Sequence, residues 1–220
     1  GSRSQTAQLH EMSNRLQIEP VNENTFKTID VRGCFSSPKV NDFQSLFDCS
    51  WNFDRLVLKS SEGNRELLNL QKSGSFNAFA CIDAENESPI AFFTLAASTL
   101  CVPAQYRKGK DPASWDSFPS IQIDYLFVDM DLRKCGVGSF ILNWIKKQSL
   151  DRRFQFEAFR FIYLNSIKTE QAIRFYKKND FVFADCDDEL DIEQTLNDGT
   201  FCDDKEMVVP MFFDLNSLKL

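Results

Sequence analysis

The sequence predicts an α/β domain, and two stretches carry that expectation. From Ile121 onward strand and helix patterns alternate. Residues 121–128 alternate as a strand, and 136–150 place Val137, Ile141, Trp144 and Ile145 on one helical stripe. Residues 159–164 form a second apolar strand, and 169–178 return to helical spacing with Ala172, Ile173, Phe175 and Tyr176. Upstream, residues 76–82 and 89–100 are rich in Phe, Ala and Thr and flank a turn-like stretch at 83–88, the pattern of a β-hairpin. With 43% apolar side chains and 29 aromatics among 220 residues, the chain can bury one sizeable core, so one domain is the default. Only 15 residues are Gly or Pro and 26% are charged, which excludes a wholly disordered or collagen-like chain.

The remaining elements follow in order. Residues 1–24 are polar without periodicity and are expected to be an N-terminal extension, partly a cloning remnant or disordered, with the domain proper at 25–220. Residues 25–33 read as a first strand ending at a glycine; 38–47 and 51–71 read as interrupted helices, with Phe43, Leu46 and Phe47 on one face. Residues 103–119 hold three of the seven prolines and form a loop long enough to be functional. Residues 207–215 are a last strand, in which Pro210 argues for a bulge or an edge position. The longest apolar runs are about four residues, against roughly 20 for a membrane span. No charged start followed by an apolar stretch marks the chain for export, so a cytoplasmic protein without membrane association is expected.

Charge and rare residues exclude whole classes of chemistry. Seven cysteines lie no closer than 15 residues apart, so local pairs build neither a redox motif nor a zinc knuckle, and no metal site is expected. The single histidine, His10, lies in the polar N-terminal stretch, which argues against Ser-His-Asp and Cys-His mechanisms. Net charge is −7, but residues 185–206 hold ten acids against Lys205, a local −9 that leaves +2 for the rest. Basic clusters at Arg107, Lys108 and Lys110, at Lys146, Lys147, Arg152 and Arg153, and at Arg174, Lys177 and Lys178 are either phosphate contacts or solvated helix faces.

The segment from Ile121 to Ser139 runs from strand through an Arg133-x-x-Gly136-x-Gly138 turn straight into an amphipathic helix. Two glycines let the backbone approach a ligand closely. The NH groups of a first helical turn, at the positive end of the helix dipole, favour an anion such as a pyrophosphate. The spacing is not that of a phosphate loop, and Arg133 or Lys134 stands where a dinucleotide fingerprint has its first glycine. Glycines that merely ease packing of helix on sheet are the alternative.

These residues resemble the acetyl-CoA-binding motif of the GNAT acetyltransferase superfamily, Gln/Arg-x-x-Gly-x-Gly/Ala after its fourth strand. A second match follows, because Ala172-x-x-Phe175-Tyr176-x-x-x-Asp180-Phe181 is similar to the family's Ala-x-x-Phe-Tyr-x-x-x-Gly-Phe helix end. The likeness covers roughly residues 26–215. Asp180, after Asn179, replaces the usual glycine, and both residue types tolerate the left-handed conformation; Thr169 replaces the common Asn at the start of that helix.

The resemblance implies a mixed, mostly antiparallel twisted sheet with helices on both faces, and acetyl-CoA as cosubstrate. It implies pantetheine paired with the backbone of Leu126, Phe127 and Val128, beside splayed strands. The pyrophosphate would be held by Arg133, Lys134, Cys135, Gly136, Val137, Gly138 and Ser139, with Thr169 nearby. Direct transfer to a primary amine would then use Tyr176 as the acid for the departing thiolate and Asp124, with Gln122 two residues earlier on the same face, on the side of the acceptor's proton. A core tyrosine and a sheet-surface charge are the respective alternatives.

Residues 43–49, 91–98 and 118–123 are similar to the branch containing toxin acetylases of aminoacyl-tRNA. Those toxins are typically basic, and the acidic balance here argues against a nucleic-acid partner while leaving transfer RNA open. Set as an insertion before the last strand, residues 185–206 would line the acceptor groove and draw in cationic amines, or be a solvated loop. A non-catalytic acyl-CoA-binding regulator and a homodimer stay open on this reading.

Overall fold

The computed structural model describes residues 14–21, 72–85, 87–101, 117–129, 132–153 and 158–218. The strand expected at 25–33, the helices expected at 38–47 and 51–71, most of the 103–119 loop and the Arg107–Lys110 cluster lie outside them.

Among the described residues, seven strands form one sheet in the order β1-β2-β3-β4-β5-β7-β6. They are β1 (Leu16–Pro20), β2 (Asn77–Asp83), β3 (Ser88–Cys101), β4 (Ser117–Val128), β5 (Phe161–Lys168), β6 (Val182–Phe183) and β7 (Asp204–Asp214). Helices α1 (Val137–Arg153), α2 (Glu170–Lys178) and α3 (Cys186–Asp198) alternate with the later strands. β1 with β2, β2 with β3, β5 with β7 and β6 with β7 pair antiparallel, and β4 with β5 pairs parallel. The fold is therefore the mixed, mostly antiparallel α/β arrangement expected. Among the described residues no helix is long and apolar enough to cross a membrane.

β1 corrects the reading of residues 1–24 as outside the core. Leu16 pairs with Asp83 and Pro20 with Phe79, while Leu16 and Val21 are buried. Arg15 pairs with Asp83 at 3.2 Å and with Glu85, fastening the start of β1 to the end of β2. An edge strand needs apolar residues on one face only, and Glu19 and Pro20 suit an edge. Five residues are too few for the alternation to stand out.

Contacts divide the chain into two compact units, one comprising residues up to Ala96 with Asp124–Ile145, the other Ala97–Ile123 with Lys146–Leu220. In the first, the β2–β3 hairpin presents Phe79 and Phe93 stacked at 5.1 Å, and Trp144 of α1 packs on both rings at 5.4 and 5.8 Å. Val137, Ile141 and Ile145 are buried along the same helix, as the stripe predicts.

In the second unit Leu100, Phe118, Phe161 and Phe212 form a buried cluster. Phe161 meets Phe118 and Phe212 edge to face at 5.5 and 5.2 Å. β7 lies between β5 and β6, but β6 covers only Met211 and Phe212. Ala184 N donates to Pro210 O at 2.9 Å, so the ring nitrogen of Pro210, which has no hydrogen to donate, faces the side where β6 has just ended. Pro210 thus lies inside β7, at the end of its short pairing with β6, rather than at the outer edge of the sheet or at the irregularity of the β5–β7 ladder. The β5–β7 ladder jumps from Ile167↔Val208 to Lys168↔Asp204, which loops out Lys205, Glu206 and Met207.

The acidic stretch is not a loop: most of it is α3. Asp185 caps that helix, accepting from Asp187 N at 2.8 Å and Asp188 N at 3.3 Å, and Gly199 closes it at φ 76°. Asp198 accepts from Thr200 N, Asp203 from Glu170 N at the start of α2, and Asp204 from Glu206 N and Met207 N. Glu193 pairs with Lys177. These carboxylates satisfy backbone donors that helix and strand ends would otherwise leave open.

Candidate active site

The first unit builds an anion-ready turn. β4 ends at Val128, and Asp129 N donates to Ile90 O at 2.9 Å, tying the exit of the strand to the hairpin. Leu132 N bonds to Asp129 O, and Cys135 N to Leu132 O closes a tight turn over 132–135. Lys134 at φ 66° and Gly136 at φ 88° are both left-handed, and this double reversal throws the chain into α1. The helix ladder opens with Phe140 N on Gly136 O at 2.9 Å, so the NH groups of Val137, Gly138 and Ser139 have no intrahelical acceptor. α2 and α3 carry acids in their first turns, whereas α1 carries none. The positive end of its dipole is thus left for an anion.

Arg133 folds back so that its Nε donates to Val128 O at 3.4 Å. Burial lowers its pKa and the Asp129 carboxylate raises it, but a guanidinium remains charged in either case. The thiol of Cys135 is half-buried, and Lys134 is exposed. Leu126, Phe127 and Val128 are half-buried on β4, where Phe127 stacks with Tyr125 at 5.8 Å and with Phe92 at 6.5 Å. The β4–β5 ladder runs from Ser120↔Phe161 to Ile123↔Leu164 and stops there, while β4 continues through Val128. Asp124, the first residue past the ladder, is exposed, and Gln122 before it is half-buried.

The second unit holds Tyr176 and Thr169. Thr169 is the N-cap of α2, buried, with its hydroxyl oxygen accepting from Ala172 N at 3.3 Å, so its local role is to start the helix. The helix ends in a Schellman turn: Phe181 N bonds to Tyr176 O at 3.1 Å and Asp180 N to Lys177 O at 3.0 Å, with Asp180 left-handed at φ 65°. The substitution of Asp180 for the expected glycine therefore keeps the backbone conformation. Tyr176 is half-buried, edge to face with Phe175 at 5.0 Å and Phe181 at 5.8 Å, and burial pushes its phenol well above the usual tyrosine range.

Lys146 departs from both expectations for its cluster, being neither a phosphate contact nor on a solvated face. It is buried, with Nζ donating to Asn179 O at 2.7 Å. The signal was present in the sequence, since position 146 lies four residues after the buried Leu142 and three before the buried Ser149, on the inward stripe of α1. Arg174 pairs with Glu170 at 2.7 Å one helical turn away.

No protein-family model matches the chain, and no curated protein matches it. Solved structures do. AtaT in complex with acetyl-methionyl-tRNAfMet superposes with a TM-score of 0.58 at 16% identity, covering 92% of this chain and 96% of that one. A tyrosine-to-phenylalanine mutant of KacT gives 0.56 at 14%, with 92% and 96% covered. AtaTR bound with acetyl-CoA gives 0.53 at 16%, with 93% and 96% covered. Near-complete coverage at such low identity is a likeness of backbone architecture, and the chain shares the GNAT fold with these structures.

Proposed function

We propose that the protein transfers an acetyl group from acetyl-CoA to a primary amine. The turn from Arg133 to Ser139 carries the reading: it combines two left-handed residues, helix-start NH groups without intrahelical acceptors and a first turn free of acids. That donor set fits a pyrophosphate. Lys134 to Ser139 would hold it by backbone and Arg133 by charge, while Leu126, Phe127 and Val128, past the end of the β4–β5 ladder, would pair with the pantetheine amides. Bound acetyl-CoA supplies a thioester carbonyl as the electrophile. Tyr176 is assigned the acid role because it stands at the tyrosine of the resembled motif, and a phenol carries its proton at neutral pH, ready for the departing thiolate. Asp124, exposed on β4, would take the acceptor's proton directly or through water.

Two acceptor classes divide the finer reading. A cationic amine, such as a polyamine or a lysine-rich peptide, suits the net charge of −7. The α-amine of an aminoacyl-tRNA is favoured by the likeness to AtaT, which was solved with acetyl-methionyl-tRNAfMet. Thiol release from acetyl-CoA, measured with spermidine, a lysine-rich peptide and methionyl-tRNA, separates them. Turnover with one acceptor is expected, falling about 10²-fold in Tyr176→Phe with little change in acetyl-CoA affinity. Acetyl-CoA binding without turnover on any acceptor would mean an acyl-CoA-sensing regulator, and failure to bind acetyl-CoA would overturn the proposal.

A further inference from the structure

Lys146 projects from the middle of α1 into the C-terminal turn of α2, where almost none of its side chain is left in water (7% exposed). Its ammonium donates to Asn179 O at 2.7 Å, approaches Asp180 Oδ2 at 3.5 Å, and sits over the ring of Phe213 at 4.0 Å and that of Phe181 at 5.7 Å. A carbonyl, a carboxylate and two ring faces thus replace its lost hydration. A buried ammonium that gives up such partners is costly, so the arrangement selects one position for the end of α2.

The residues so held are those that carry Tyr176. Phe181 N bonds to Tyr176 O, Asn179 Nδ2 to Phe175 O at 2.8 Å, and the Tyr176 ring packs against both Phe175 and Phe181. Asp180, left-handed where the resembled motif has glycine, gains in Lys146 a cation that a glycine could not use. We propose that Lys146 is a positioning residue: it clamps the left-handed turn Asn179–Phe181 and through it fixes the ring of Tyr176. The inference rests on the acid role proposed for Tyr176.

The test replaces the tyrosines by 3-fluorotyrosine, assigns the Tyr176 fluorine resonance by its loss in Tyr176→Phe, and follows it beside thiol release with the same three acceptors. Lys146→Met is expected to move or split the Tyr176 resonance and leave that of Tyr163 in place. It should lower kcat about 10-fold or more while changing the acetyl-CoA KM less than about twofold, with Lys146→Arg recovering most of the rate. An unmoved resonance with wild-type kcat in folded Lys146→Met overturns the proposal. If Lys146→Met does not fold, Asp180→Asn, which removes only the facing charge, is expected to move the same resonance, and an unmoved line there overturns the proposal equally. A moved resonance together with full turnover in Tyr176→Phe would remove the acid role and leave the clamp standing.

Discussion

Gly136→Ala separates a ligand-binding turn from a merely compact one. At φ 88° this residue occupies backbone space that an L side chain enters at a cost of about 1–2 kcal/mol. A chain of this size loses roughly 2–4 °C in Tm per kcal/mol, so melting should fall by about 2–8 °C. If the turn instead relaxes to escape the strain, the NH groups behind it lose their aim. The same 1–2 kcal/mol, spent to restore the binding geometry, weakens acetyl-CoA binding by a factor of about 5–30. Gly199→Ala is the control, because Gly199 also has positive φ, 76°, with nothing within 4 Å of an added Cβ, and it closes α3 rather than opening α1. Gly199→Ala should only melt earlier, whereas Gly136→Ala should show the strain as a lower Tm, as a lower affinity for acetyl-CoA by titration calorimetry, or divided between the two. Wild-type affinity in a Gly136→Ala variant that also melts like wild type, or an equal loss in Gly199→Ala, would refute the assignment of the site to this turn.

Two further outcomes test the framework. Cys81, fully buried in β2, has its thiol pushed up from 9.0 to about 12, chiefly by burial and secondly by Asp83. The unfolded chain releases this proton near pH 9 and the native one keeps it, so the contribution is complete below pH 9. It is lost at roughly 1.4 kcal/mol per pH unit as pH rises toward 12. Denaturant unfolding at pH 8 to 11 should show a flatter alkaline decline in Cys81→Ala than in wild type, and equal slopes would refute the linkage. Asp185→Ala removes the acceptor shared by Asp187 N and Asp188 N and should cost about 1 kcal/mol, with Asp185→Asn restoring most of it. Identical melting of the alanine variant would show that the cap does not hold α3.

Local chemistry made several features legible. The hairpin expected at 76–82 and 89–100 is found at 77–83 and 88–101, because alternation and turn residues act within a few positions. α1 was written in the spacing of Val137, Ile141 and Ile145. The left-handed turn at Asp180 follows from what one residue's backbone permits. The Arg133–Gly138 turn was visible for the same reason, since Gly136 sits where its φ demands it.

What only the tertiary structure decided depends on partners distant in sequence. Leu16–Pro20 is a strand because β2, some 60 residues later, offers it an edge, and nothing within those five residues fixes that pairing. The acids of 185–206 read as a charged tract because each is polar. Their use as caps appears only when the backbone ends they serve are in place, as with Asp203 and the start of α2, 33 residues away. Lys146 had the charge of a surface residue and the position of a core one. Composition favours the first, and only the carbonyl of Asn179 and the rings of Phe181 and Phe213, brought to its ammonium by folding, make the second affordable. Sequence determines what a residue's own backbone and near neighbours allow, whereas the desolvation of a charge is settled by whichever groups the fold carries to it.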